Sequence, residues 1–224
     1  NPYKFDLLPT GLPAFRPIWV RGKSVIVPYY RDSVDFLLDF LAQRKFDAII
    51  ELGSGYGQNI IDLYYRGGPK GIPYYAGENT ESGVELASLL FSMIPGETFI
   101  SFPFDISAPE LSAVKERKSI LIFTRHALEQ VTNIPEHFFE TLASHAEQVT
   151  CVHFEPFGFQ VDRVETDQVQ AEFVTERGYN TNMIDVLFQT EKTGMIDVKF
   201  IAKNIMGATD FPHETSLVMW ERSA

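Results

Sequence analysis

A single cysteine, Cys151, stands in the 224 residues, so no intramolecular disulfide can form. No Cys/His cluster shows the spacing of a zinc site. Basic residues are scarce: nineteen Lys and Arg against thirty Asp and Glu leave a net charge of −11. Nucleic acids and acidic membrane surfaces are therefore poor partners, because binding them relies on a cationic footprint. The one short basic run, Lys115 to Lys118, is interrupted by Glu116 and reads as a solvated helix end. No apolar run approaches the roughly 18 residues that a membrane span needs. No signal peptide is visible, and neither internal repeats nor low-complexity tracts occur. These absences exclude fibrous, disulfide-stapled and membrane-spanning classes, and they favour a reducing, cytoplasmic compartment. The remainder is ordinary globular composition, 45% apolar, 13% aromatic and 22% charged, with enough chain for one domain around a hydrophobic core. The chain begins at Asn1 rather than at Met, which leaves a longer parent chain open; a homodimer is open as well.

Residues 1–31 are rich in proline (Pro2, Pro9, Pro13, Pro17, Pro28) and aromatics, which predicts an extended arm rather than a helix. Its apolar side chains (Phe5, Leu7, Leu8, Phe15, Trp19) argue for an arm that packs on the domain or closes over a site. From Asp32 the pattern changes, and residues 32–224 read as a single domain. Val34, Leu37, Leu38 and Leu41 recur at helical spacing behind an Asp32-Ser33 cap. Strands are expected at Ala48–Leu52, Tyr74–Glu78, Thr98–Phe104, Ser119–Thr124 and Gln148–Phe154. Helices are expected at Gln58–Arg66, Val84–Phe91 and Pro135–His145. Because these strands are apolar runs rather than alternating ones, they predict a parallel sheet covered on both faces. After a helix near Gln168–Arg177, two runs, Met195–Ile205 and Ser216–Trp220, follow each other across a turn holding Gly207, Asp210 and Pro212. Two consecutive strands with a short link pair antiparallel. The predicted fold is α/β: a Rossmann-like open, mostly parallel sheet with helices on both faces and a C-terminal antiparallel hairpin.

Chemistry concentrates at the ends of these strands. Glu51-Leu52-Gly53-Ser54-Gly55-Tyr56-Gly57 joins the first strand to its helix, and glycine there permits positive φ and close approach of a ligand to the backbone. A dinucleotide fingerprint wants G-x-G-x-x-G. Here the third glycine comes one residue early, Gln58 follows it, and Glu51 suits a cationic ligand group better than a phosphate.

In these residues the sequence resembles the class I S-adenosylmethionine-dependent methyltransferases, whose first motif is an acidic residue, an apolar residue and G-x-G-x-G. The resemblance spans about Asp32 to Pro156 and is extended by the terminal hairpin. It implies S-adenosylmethionine as cofactor, with Glu51, Gly53, Ser54, Gly55 and Gly57 passing beneath it and Glu51 meeting its amino group through water or the turn. Glu78, 27 residues after Glu51, then corresponds to the acid that takes the ribose hydroxyls, with Asn79 beside it. Asp105, flanked by Phe104 and Ile106, corresponds to the acid that meets the adenine amino group. The fourth strand end, Thr124-Arg125-His126, completes the series, and Tyr30 and Arg31 are candidates for the cofactor's carboxylate. Plainer roles stay open: a structural tight turn, a helix cap for Glu78, and a cap at Ser107 for Asp105.

The acceptor is narrowed by what is missing. No Asn/Asp-Pro-Pro-Tyr follows the fourth strand, no Pro-Cys nucleophile is present, and no paired-glutamate loop for a guanidinium is evident. A hydroxyl or simple amine of a small molecule remains. A hydroxyl calls for a base, and His126 titrates in the right range, so His126 is the catalytic candidate. Glu129, His153 and Glu155 are candidates for the substrate end. The Asp-Asn pair of metal-assisted O-methyltransferases is absent, so no metal is expected. Phe123–Val131 and Pro212–Glu221 are also faintly similar to sugar O-methyltransferases of polysaccharide and natural-product pathways. Two rivals are a nicotinamide-dependent oxidoreductase and a non-catalytic module of the same fold within a larger protein.

Overall fold

The computed structural model describes residues 15–20, 23–28, 32–161, 168–206 and 213–223, and only the backbone of 15–28. Within the proline-rich arm, β1 (Phe15–Val20) and β2 (Lys23–Pro28) form a two-stranded antiparallel hairpin. Tyr30 and Arg31 lie outside the described residues, as do Gly207, Asp210 and Pro212 of the late turn. Helix α1 (Ser33–Leu41) starts where the Asp32 carboxylate accepts a hydrogen bond from Asp35 N at 2.9 Å, and it buries Val34, Leu37 and Leu41.

The main sheet alternates with helices as the apolar runs require. In chain order it contains β3 (Ala48–Leu52), α2 (Gln58–Tyr65), β4 (Tyr74–Glu78), α3 (Glu81–Ser92), β5 (Phe99–Pro103) and β6 (Ser119–Arg125). There follow α4 (Phe138–Ala143), β7 (Gln148–Glu155), the short α5 (Gly158–Val161), α6 (Gln168–Glu176), α7 (Met183–Lys192), β8 (Ile196–Met206) and β9 (Thr215–Arg222). Seven strands lie in the order β5-β4-β3-β6-β7-β9-β8. The first five pair in parallel, and β9 runs antiparallel between β7 and β8. This is the predicted open sheet with its antiparallel finish.

Two cores sit on opposite faces of the sheet. Ala48, Ile50 and Leu52 of β3 join Ile120 and Ile122 of β6 in one. Ile49, with Leu121 and Phe123, belongs to the other. Burial of both faces is why the strands carry no polar alternation. Among the described residues, no helix is long and apolar enough to cross a membrane.

Helix α7 is an addition to the sequence reading, which passes from the helix near 168–177 directly to the strand at 195. Its buried residues Met183, Ile184, Val186 and Leu187 do have helical spacing. Its start is capped at a distance, by Asn180 Oδ1 accepting from Met183 N at 2.8 Å, rather than by the adjoining Asn182 side chain.

The strand order places the site. From β3 the chain builds outward through β4 and β5, then crosses back to lay β6 and β7 on the other side. The loops after β3 and β6 therefore diverge in opposite directions and leave a crevice between them, the usual ligand position in an open α/β sheet.

Candidate active site

The glycine turn and the loop after β6 meet at this crevice. Gly53 has φ +71, and a Cβ there would lie 2.3 Å from the Ala127 Cβ, so the two loops approach as closely as a glycine allows. Gly55 has φ +55 with open space where its side chain would be. A cavity of about 410 Å³ opens here, lined on one side by Gly53, Gly55, Glu78, Asn79 and Thr80. Phe104, Asp105, Ile106, His126, Ala127, Gln130 and Val131 line the other. Its size falls within the ~300–1,000 Å³ of small-molecule sites. Its lining carries two carboxylates and neither lysine nor arginine, which suits a cationic ligand and disfavours a pyrophosphate.

The Glu78 carboxylate accepts from Gly55 N at 2.9 Å, from Thr80 N at 3.0 Å and from Thr80 Oγ1 at 2.8 Å. It ties the glycine turn to the start of α3. The cap of that helix is Thr80, whose hydroxyl accepts from Gly83 N at 3.2 Å. Asp105 turns one oxygen back to Ser107 N at 2.8 Å while lining the cavity. The Ser54 hydroxyl is buried in the turn without a hydrogen-bond partner, the kind of unmet polar group a bound molecule or water would satisfy.

Several expected site residues act from beneath the crevice rather than in it. Glu51 is fully buried and accepts from Asn59 Nδ2 at 2.7 Å and Ile60 N at 3.2 Å. Asn59 Oδ1 in turn accepts from Arg125 at 2.7 Å, so Glu51 and Arg125 hold the start of α2 instead of lining the cavity. Gly57, at φ +81, begins that helix. Thr124 and His153 are both fully buried, with Thr124 Oγ1 3.0 Å from His153 Nδ1. The other ring nitrogen of His153 accepts from the Trp220 indole at 3.0 Å. Both of its nitrogens are thus engaged in the core, and burial pulls its pKa down to about 3. Glu155 is buried as well, and its two oxygens accept from Ala127 N at 3.1 Å and Glu129 N at 3.3 Å. It anchors the loop after β6, and desolvation raises its pKa to about 7. His153 and Glu155, expected at the substrate end, are buried and do not line the cavity.

Burial raises the Glu51 pKa to about 8 despite the hydrogen bonds from Asn59 and Ile60. Between its ordinary value of 4.5 and about 8, the folded chain keeps a proton that the unfolded chain releases. Stability therefore falls as pH rises through that window. Glu51→Gln removes the titration and retains an acceptor oxygen. Thermal melts from about pH 5 to about pH 8 should show the variant's Tm gaining steadily on wild type; a constant difference across the range would refute this account.

His126 stands at the junction of β6 and the loop, in the left-handed region at φ +50. Its N–H donates to Phe154 O at 2.9 Å, so the neighbouring strand holds it there. For a non-glycine residue such a conformation costs about 1–3 kcal/mol, and it recurs at functional sites. The ring is fixed at both nitrogens, Nδ1 lying 3.2 Å from Glu129 Oε1 and Nε2 2.7 Å from Thr215 Oγ1. The second oxygen of Glu129 takes His213 Nε2 at 2.5 Å. Since a carboxylate only accepts, both imidazoles donate to it. Burial works to lower the His126 pKa, but the Glu129 hydrogen bond and the charges of Glu155 and Glu129 outweigh it, leaving the pKa above its ordinary value. Burial likewise works to raise Glu129, and the two histidines reverse it to a net lowering.

His213 and Thr215 fall within the Pro212–Glu221 stretch noted in the sequence but are not singled out there as site residues, being 84 residues from Glu129 and 89 from His126. No local pattern connects them; β9, laid beside β7, delivers them.

No protein-family model matches the chain, and no curated protein sequence matches it. Solved structures do. The magnesium protoporphyrin IX methyltransferase of Synechocystis PCC 6803 with bound SAH is similar at a TM-score of 0.58 and 15% identity, over 85% of this chain and 82% of that one. A geranyl diphosphate methyltransferase in complex with GPP and sinefungin is similar at 0.56 and 10% identity, over 84% and 77%. The small RNA methyltransferase HEN1 is similar at 0.57 and 11% identity, over 85% of this chain but 25% of that one. The fold of this chain is thus the Rossmann-like fold of the S-adenosylmethionine-dependent methyltransferases.

Proposed function

We propose that this protein is an S-adenosylmethionine-dependent methyltransferase whose acceptor is a hydroxyl oxygen of a small molecule or sugar. The observation that carries the reading is that the glycine turn, Glu78, Asp105 and His126 line one and the same cavity. Its carboxylates match a ligand bearing an ammonium and a sulfonium, with hydroxyls and an amino group as hydrogen-bond donors. The turn offers the room beside Gly55 for such a ligand to approach the backbone. The net charge of −11 opposes an RNA acceptor.

The glycine turn, Glu78 and Asp105 would hold S-adenosylmethionine, which would supply an electrophilic methyl group to the acceptor oxygen, the electron pair of its C–S bond passing to sulfur. Holding the acceptor in line is the task of the cavity wall, and such positioning can supply up to about 7–11 kcal/mol. The hydroxyl proton is taken at the His126 cluster. With Nδ1–H donated to Glu129, Nε2 is the basic nitrogen, and Thr215 marks where a hydroxyl meets it. General-base assistance of this kind contributes about 10²–10⁴-fold.

Calorimetry tests the cofactor directly. Micromolar binding of S-adenosylmethionine, about −8 kcal/mol, is expected, without comparable binding of NAD. The reverse result would assign a nicotinamide-dependent oxidoreductase. S-adenosylmethionine binding with no turnover across a broad library of hydroxylated acceptors would indicate a non-catalytic module.

A further inference from the structure

We infer that His126, Glu129 and His213 form a binding site for a divalent transition-metal ion of the zinc class, with its open coordination positions turned to the acceptor. Two imidazole nitrogens and one carboxylate oxygen lie within 4.8 Å of one another, and His126 of this set lines the cavity. Bonds of about 2.0–2.2 Å to a common ion place neighbouring ligands roughly 3–3.5 Å apart, so the set closes on an ion by small side-chain movements. An imidazole–carboxylate donor set favours zinc, cobalt, manganese or iron over magnesium or calcium. Three protein ligands with a vacant fourth position are the pattern of catalytic rather than structural zinc sites.

The surroundings prepare each ligand. Glu155 pins the loop that carries Glu129 through the Ala127 and Glu129 N–H groups. The rings of Phe173 and Tyr179 pack against His213 with centroids at 5.5 and 6.0 Å. His126 would ligate through Nδ1, which faces Glu129, while Nε2–H donates to Thr215 Oγ1. Metal-bound histidines commonly secure their second ring nitrogen through such an outer partner. This is the opposite tautomer from that of a free base, so the ion and not the imidazole would then acidify the acceptor. The acceptor hydroxyl would bind the ion and release its proton to solvent, which reaches the cluster because His126 and His213 are each about one-quarter exposed. Its oxygen would then bond to the methyl carbon as the C–S bond breaks toward sulfur.

The catalytic part of this inference rests on the methyltransferase reading; the ion site does not. The test is titration of the untagged full chain with Co²⁺, followed by visible absorption and calorimetry, with S-adenosylmethionine binding measured separately. One Co²⁺ per chain, giving ligand-field bands and displaced by Zn²⁺, is the expected result. His213→Ala and Glu129→Gln should each abolish the bands, with circular dichroism confirming the fold. Thr215→Val, which removes only the outer partner, should weaken Co²⁺ by about 10–100-fold. Absence of Co²⁺ binding, or binding that survives both ligand substitutions in folded protein, overturns the site even if S-adenosylmethionine binds. Co²⁺ bound by these residues in a protein that does not bind S-adenosylmethionine supports the site and overturns the reading beneath it.

Discussion

Replacing His126 with asparagine should lower kcat by about 10²–10⁴-fold while leaving S-adenosylmethionine affinity within roughly a few-fold. Asparagine is the informative substitution because it tolerates the left-handed backbone found here at φ +50 better than alanine does. It removes the imidazole that meets both Glu129 and Thr215, whether that imidazole acts alone or as a ligand. The measurement is a steady-state methyl-transfer assay on an acceptor from the hydroxyl library, with cofactor affinity determined by calorimetry. Near-normal turnover with an earlier melt would make His126 a packing residue. The reaction would then have to find its proton acceptor elsewhere, since His153 is closed into the core by Thr124 and Trp220.

Glu78→Ala should weaken S-adenosylmethionine binding by ten-fold or more. Charge-assisted hydrogen bonds to a carboxylate contribute about 1.5–3 kcal/mol, and each 1.4 kcal/mol is roughly ten-fold in affinity. The carboxylate already holds Gly55 N and Thr80. A ligand hydroxyl must therefore use the remaining acceptor capacity or replace one of those donors, and the alanine variant also loosens the glycine turn. Thr80 keeps its own bond to Gly83 N, so α3 retains its cap and the protein should stay folded. Glu78→Gln, with one acceptor oxygen left, should fall between. Unchanged affinity in a folded alanine variant would reduce Glu78 to a brace between the turn and α3.

Local order along the chain determined a good deal of this protein by itself. Apolar runs of strand length alternating with helical periodicity dictate a sheet buried on both faces. Two late runs without a helix between them dictate the antiparallel finish, and Gly53-Ser54-Gly55, Glu78 and Asp105 announce themselves because each sits where a strand must stop. Such signals survive in one dimension because backbone conformation and burial periodicity are set within a few residues. The facing of polar residues within those strands is decided otherwise. When both faces of a strand are apolar, nothing local says whether Glu51, Thr124, His153 or Glu155 looks into the crevice or into the core. That depends on the neighbours, such as Trp220 arriving on β9 to donate to His153. The His126–Glu129–His213 cluster is the extreme case. Only the tertiary structure assembles it, because β9 pairs antiparallel with β7 and so brings His213, two residues ahead of β9 and 84 positions from Glu129, to the end of the sheet where β6 stops.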